Sequence, residues 1–363
     1  MNDLLTLTDS GFYCPVGDFY IDPWRAVNRA VITHAHADHA RWGHRRYLTS
    51  AEGLGVLRHR MRADATILPL PYGEAISHKG VHISLHPAGH VLGSAQVRIE
   101  YRGRVAVVTG DYKVEADRTC TPFEPVKCHL IVSESTFALP IYRWQPQSVV
   151  FSDINNWWRA NQQKGLASVI MAYSLGKSQR VLAGIDPAIG PIYSHGAVEP
   201  LNRVYRDFGI SLPATSYVSE TLKEQRGKSV DWSQSLVIAP PSAAGTPWLR
   251  RFEPHSCAFV SGWMTIRGTR RRQSLDRGFV LSDHADWPGL LWAIGESGAE
   301  EVWLTHGYSA TLARYLTDHG LNARSVDTRF TGEADVADDS PPTEAATPET
   351  TETAESPAAA VLS

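Results

Sequence analysis

The sequence predicts an α/β protein: a sandwich whose strand ends collect polar side chains along one edge, with a second α/β unit inserted into it. Three observations carry this reading. Short apolar runs recur, and each delivers a His, Asp or Glu at its end: Ala30-Val31-Ile32 before His34, Val105 to Thr109 before Gly110-Asp111, Leu130 to Ser133 before Glu134, and Val302 to Thr305 before His306. Such runs read as buried strands. The first opens onto a turn loaded with imidazole and carboxylate. After Phe137 the pattern shifts to alternating strands and helices, and near Gly278 the strand-plus-polar-tip pattern returns. Ligands of open α/β sheets bind beyond the carboxyl ends of the strands, so function is expected at that edge.

In chain order, Gly11 to Cys14 and Gly17 to Ile21 are short aromatic-rich strands, the second closed by Asp22-Pro23. Asp22 is either a turn residue or a carboxylate that orients a ligand imidazole from behind. The turn Thr33–His39 holds four potential metal ligands, His34, His36, Asp38 and His39. His34 and His36 alternate, so an extended backbone directs both to one side; Asp38 and His39 can face a second ion. Imidazole with carboxylate suits zinc, manganese or iron better than calcium or magnesium. A solvated His-rich loop is the competing reading, weakened by the buried strand just before it. A basic helix is expected from Thr49 to about Arg62. Val81 to His86 alternates like a half-buried strand, with His82 and His86 as strand residues. His90 lies between glycines, where backbone can approach an ion closely.

The inserted segment reads as a helix over 149–163, a strand over 168–172, a turn from Tyr173 through Lys177 and Arg180 into a second helix, then further strands over 191–193, 235–239 and 257–262 and a helix over 198–208. Strands alternating with helices suggest a mainly parallel sheet. Arg267, Arg270, Arg271, Arg272 and Arg277 crowd a polar segment, read either as a solvated loop or as a phosphate clamp. With Lys177 and Arg180, the residues Arg270, Arg271 and Arg272 are candidates for contacts to a substrate backbone. The organisation is therefore a first domain part over 1–140, an insertion over 141–276, a second part over 277–332 and an acidic tail over 333–363. The tail is Pro, Thr, Ala and acid without an aromatic, a composition that stays disordered.

That tail sets the net charge of -3: it carries eight acidic residues and no basic one, leaving 35 basic against 30 acidic and a body at +5. A mildly basic body is compatible with a polyanionic substrate. No apolar run approaches the ~20 residues of a membrane span, so no membrane partner is expected, and no signal peptide is evident at the N-terminus. Four scattered cysteines without CxxC spacing argue against a disulfide framework and for a reducing cytoplasm. Cys120 and Cys128 as zinc ligands are the weaker alternative to buried thiols.

His34-x-His36-x-Asp38-His39, His90 and Asp111, on strand ends in this order, resemble the metallo-β-lactamase fold. The insertion after Glu134, followed by Asp283-His284 and Thr305-His306-Gly307, resembles the β-CASP nucleases over about residues 10–330. The resemblance implies an αββα sandwich with an inserted α/β β-CASP domain. Tyr13-Cys14-Pro15, Gly17 to Trp24, Glu134 to Phe137, Gly262-Trp263-Met264 and Leu281 to Pro288 are most similar to the bacterial ligase-associated DNA exonucleases. By resemblance the chain holds two divalent metal ions, zinc or manganese. His34, His36 and His90 would hold one; Asp38, His39 and His306 the second; Asp111 would bridge them, and Asp22 would support the site from outside. Two ions about 3.5–4 Å apart activate water and neutralise phosphate charge. His284, oriented by Glu134, would protonate the leaving oxygen; Asp38, Glu134 and His284 are the candidate catalytic residues.

The leading expectation is a DNA exonuclease acting in repair, with a DNA ligase and a helicase as pathway partners. The alternative is an RNA-processing β-CASP ribonuclease, kept open by His306, a histidine that RNA-type members have and Artemis-like DNA enzymes usually lack. Intact ligand positions argue against a non-catalytic relative, and the insertion argues against a small-molecule hydrolase.

Overall fold

The computed structural model describes residues 4–226, 229–266 and 276–330. The N-terminal runs form a six-stranded sheet in the spatial order β1 (Thr6–Thr8), β2 (Gly11–Cys14), β3 (Phe19–Ile21), β4 (Arg29–Val31), β5 (Arg46–Ser50) and β6 (Ile67–Leu70). Helix α1 (Leu54–Arg60) joins the last two strands. The helix expected from Thr49 thus starts later, because pairing with β4 (Tyr47 opposite Ala30) and with β6 (Tyr47 opposite Ile67) claims Arg46–Ser50 for the sheet.

The second sheet begins with β7 (Ala75–His78), β8 (Val81–Pro87), β9 (Ala95–Tyr101), β10 (Arg104–Val108) and β11 (Leu130–Glu134). The chain then builds a third sheet from α2 (Gln147–Gln163), β12 (Ala167–Met171), α3 (Lys177–Gly184), β13 (Ile192–Ser194), α4 (Glu199–Asp207), β14 (Ser216–Tyr217), α5 (Val218–Glu224), β15 (Leu236–Ala239), β16 (His255–Val260) and β17 (Arg277–Phe279). Its pairings are all parallel, in the order β14-β13-β15-β12-β16-β17. Afterwards the chain returns through α6 (Trp287–Ser297) to β18 (Glu301–Thr305), α7 (Ser309–Asp318) and β19 (Asn322–Ser325). The completed second sheet reads β19-β18-β11-β10-β9-β8-β7.

The first two sheets pack through Phe12, Ile21, Val31 and Leu48 on one side and Leu85, Val97, Val108, Val132 and Trp303 on the other. On the far face of the second sheet, Val107, Ile131 and Val302 lie under Leu290 and Ile294 of α6 and Leu312 and Leu316 of α7. On the far face of the first, Ala30 and Tyr47 are covered by Val56 and Leu57 of α1 and by Leu201 and Tyr205 of α4. The layers are therefore α, β, β, α. No helix among the described residues is long and apolar enough to cross a membrane.

Strand direction explains why the polar tips meet. β10, β11 and β18 are parallel neighbours, with Val108 opposite Val132 and Glu134 opposite Thr305. β8 and β10 each run antiparallel to β9, so they run the same way. The segments after Pro87, Val108, Glu134 and Thr305 consequently emerge at one edge.

Leu85 is fully buried between the two sheets. Leu85→Ala should cost about 2–5 kcal/mol by denaturant unfolding. Leu68→Ala, at a side chain 44% exposed, should stay within about 0.5 kcal/mol. Equal losses at the two sites would contradict this packing.

Candidate metal centre

The chain after β4 turns sharply, and the turn is held by Asp22 at the end of β3. One Asp22 oxygen accepts from Thr33 N at 2.8 Å; the other accepts from Thr33 Oγ1 at 2.5 Å and from His39 Nδ1 at 2.7 Å. Both Asp22 and Thr33 are buried. Asp111 follows Gly110, which has φ +57° and no room for a side chain, since a Cβ there would lie 2.5 Å from Thr33 Oγ1.

The outer hydrogen bonds fix each ring's tautomer. The Thr33 hydroxyl spends its proton on Asp22, so it accepts from His34 Nδ1 at 3.0 Å. Backbone carbonyls can only accept: Leu175 O takes His36 Nε2–H at 3.2 Å and Asp283 O takes His90 Nδ1–H at 2.6 Å. Thr305 Oγ1 donates to Ser133 O and so accepts from His306 Nδ1 at 3.0 Å. In the neutral rings the inward nitrogens are then bare lone pairs: Nε2 of His34, His90 and His306, and Nδ1 of His36. Such outer partners are the usual means of aiming an imidazole at a metal.

These lone pairs need a positive occupant. His36 Nδ1 and His90 Nε2 face each other at 3.1 Å, which two bare nitrogens cannot satisfy without a shared cation or proton. Nε2 of His34, His39 and His306 and Oδ1 of Asp111 are buried with no hydrogen-bond partner among the described residues, each otherwise costing about 1–3 kcal/mol. His34, His36, His90 and Asp111 each offer an atom within 4.8 Å of the others. The donor set of imidazole and carboxylate suits a transition metal such as zinc.

Asp111 divides the imidazoles into two groups. Its Oδ2 lies 3.6 Å from His34 Nε2 and 3.9 Å from His90 Nε2. Its Oδ1 lies 3.5 Å from His39 Nε2 and 3.3 Å from His306 Nε2. Asp38 joins the second group, with Oδ2 3.8 Å from His39 Nε2. Burial holds His34 and His90 well below the ordinary imidazole range. Burial also opposes charge on His39, but Asp111, Asp38 and Asp22 outweigh it and push that ring up to about 10. Burial would raise Asp111; the surrounding imidazoles, His39 first, hold it well below the usual carboxylate range instead. The field that draws a proton onto His39 is one that would hold a cation.

Next to this cluster, His284 Nδ1 donates to Glu134, at 2.8 Å to Oε2 and 3.0 Å to Oε1. Glu134 is fixed in turn by Tyr112 N at 2.7 Å and Thr136 Oγ1 at 2.5 Å. His284 stands against His90, ring centroids 4.7 Å apart.

The structure thus brings together His34, His36, Asp38, His39, His90, Asp111 and His306, with Asp22 behind them and Glu134 and His284 beside them. It does not bring Lys177 and Arg180 to a solvent-facing surface. Both are buried. Lys177 Nζ lies 3.5 Å from Asp283 Oδ2, and Arg180 pairs with Asp283 and Glu115. In the structure both cations are held by these carboxylates. Arg270, Arg271 and Arg272 lie outside the described residues, as does the tail over 333–363.

Sequence reasoning overlooked Thr33 and Thr136, the hydroxyls that brace His34 and Glu134, although each stands one or two positions from a recognised ligand or carboxylate. It also overlooked Phe330, stacked on His39 with centroids 4.2 Å apart and planes 5° from parallel.

An αββα sandwich carrying a His/Asp centre on its strand tips, with a parallel α/β unit between β11 and β18, defines the metallo-β-lactamase class of fold. Comparison with known proteins agrees. The chain is 31% identical over 318 residues, 87% of its length, to a protein of Opitutus terrae named a probable DNA ligase, and this match spans 30% of that protein. It is 29% identical over 119 residues to cleavage and polyadenylation specificity factor subunit 3 of Dictyostelium discoideum, covering 32% of this chain and 15% of the other. It is 22% identical over 234 residues to an RNase J-like protein of Methanocaldococcus jannaschii, covering 56% of this chain and 55% of that one. The chain spans under a third of the first relative and about half of the last. A crystal structure of an Enterococcus faecalis protein of unknown function shares the fold, with a TM-score of 0.51 at 12% identity over 76% of this chain and 74% of that one. No family model matches. The fold is that of the metallo-β-lactamase/β-CASP proteins to which the chain is similar.

Chelation should lower thermal stability, and zinc at about 100 times its Kd should return about 2.7 kcal/mol. Because His39 is pushed up to about 10, a metal must displace its proton, so affinity should rise with pH between 7 and 9. Titration calorimetry in buffers of different ionisation heat reads that proton directly. An unshifted melting temperature, or pH-independent binding without proton release, would count against the fit.

Proposed function

We propose that the chain is a metal-dependent nuclease that hydrolyses phosphodiester bonds, and that its preferred substrate is DNA, digested from an end during repair. The observation that carries this is the division of the imidazoles between the two oxygens of Asp111, which fits two cations sharing one carboxylate. On this reading His34, His36 and His90 hold one ion, Asp38, His39 and His306 the other, and Asp111 both. Bound divalent ions would supply an activated water and charge neutralisation at phosphate. The protein's own contribution is positioning. Asp22, Thr33, Thr305 and two backbone carbonyls aim the rings, and Glu134 fixes His284. His284 then holds the proton that the departing alkoxide needs.

On this reading the α/β unit between β11 and β18, whose Leu175 carbonyl reaches His36, roofs the centre, as a polymer substrate requires. The body charge of +5 without the tail favours a polyanion. The relative named as a probable DNA ligase, matched over 87% of this chain, supports DNA and a pathway shared with a ligase. A second reading, RNA processing, is favoured by His306 facing Asp111 at 3.3 Å and by the relatives named for cleavage and polyadenylation and as RNase J-like.

End-labelled single-stranded DNA and matched RNA, incubated with the protein and zinc or manganese, separate the two. Stepwise shortening of DNA alone is expected; cleavage confined to RNA selects the second reading, and cleavage of neither ends the proposal. His284→Ala should retain metal and slow cleavage about 10²–10⁴-fold. Loss of metal from that variant would make His284 a ligand and place the proton donor elsewhere.

A further inference from the structure

Beside the metal centre lies a second buried cluster, made of charge rather than imidazole. Lys113, Lys177 and Arg180 meet Asp117 and Asp283 with every side chain at most 4% exposed, and the more open Glu115 completes the set. Arg180, on α3, grips three separate segments. Its Nη1 donates to Ser282 O at 2.5 Å and Asp283 Oδ1 at 3.1 Å. Its Nη2 donates to Glu115 Oε2 at 2.8 Å, and Nε and Nη2 share Gln147 Oε1 at 3.3 and 3.2 Å. A planar fork can serve all of these at once, which a point-charge ammonium cannot.

The gripped segment is the one that aims two imidazoles. Asp283 O is the acceptor for His90 Nδ1–H at 2.6 Å, and Ser282 Oγ accepts from His284 N at 3.0 Å. The turn before α3 reaches the centre from another side. Leu175 O accepts from His36 Nε2, and Gly176, at φ +87°, leaves no space for a Cβ, which would lie 2.2 Å from Val91 Cγ1 beside His90. Lys113 N, next to the cluster, donates to Ala88 O of the turn that carries His90.

We infer that Arg180 is a positioning residue for the metal centre: by fixing Ser282 and Asp283 it sets the aim of His90, and so the metal affinity of the His34, His36 and His90 group, without touching substrate. This rests on the metal-nuclease reading above. Removing a partner that aims a ligand typically costs 10–100-fold in metal affinity.

The test uses the full chain, with zinc affinity read by competition against a chromophoric chelator and ligand geometry read from the cobalt(II) absorption spectrum. Arg180→Lys and Asp283→Asn should lose about 10–100-fold in zinc affinity and change the cobalt spectrum. Arg159→Met, which breaks the exposed pair with Asp186, should stay within about twofold of the parent, far below the loss a ligand-aiming partner causes. A folded Arg180→Lys with parental affinity and spectrum would overturn the inference. Should Asp283→Asn fail to fold, Arg180→Lys decides; should neither fold, the cluster supports the fold at large and the inference is likewise overturned. A parent chain that binds no metal would instead remove the nuclease reading, and a parent that binds metal but cuts no nucleic acid would remove that reading while leaving the aim of His90 measurable.

Discussion

A carboxylate buried among imidazoles is the constraint that the surrounding structure serves. Asp111 has almost no contact with solvent, and an isolated buried carboxylate is costly enough that it would normally neutralise. Here the imidazoles around it hold it ionised. Reaching that point requires a left-handed Gly110 pressed against Thr33, and Thr33 is the residue that relays Asp22 to His34. The backbone turn, the brace and the charge are thus one arrangement, and altering any of them moves the others.

The rings themselves are aimed by groups drawn from far apart in the chain. His39 leans on Asp22, His36 on Leu175, His90 on Asp283 and His306 on Thr305. Two of the site residues sit in left-handed backbone, Asp22 at φ 44° and His306 at φ 25°, conformations that cost about 1–3 kcal/mol each and persist where surrounding structure over-determines them. The inter-sheet core holds β3, β4, β10, β11 and β18 at fixed spacing, so the tips have little freedom to relax. Rigid packing is therefore part of the site: the same apolar strands that stabilise the sandwich set the distances between its ligands.

Much of this was legible in the residues. A short apolar run followed by His or Asp announces a strand with a polar tip, which is why His34, Asp111, Glu134 and His306 stand out; the αββα layering is implied by the family resemblance those residues carry. Other features carry no such mark. The carbonyls of Leu175 and Asp283 belong to the backbone, so no side chain signals that they will aim His36 and His90. Arg46 to Ser50 shows no alternation that separates strand from helix start, and pairing on both sides decided it. Lys177 and Arg180 advertise charge, not burial; their carboxylate partners come from residues 115, 117 and 283, a proximity that only the fold creates. Phe330 stacks on His39 from the end of the described chain, where nothing in the local pattern points to the centre.

The proposal that Asp111 is shared between two cations is tested most directly by metal analysis of the purified chain after zinc loading and exhaustive dialysis. Two ions per chain are expected, both lost in Asp111→Ala while the protein stays folded. One ion per chain, or two retained by Asp111→Ala, would contradict it.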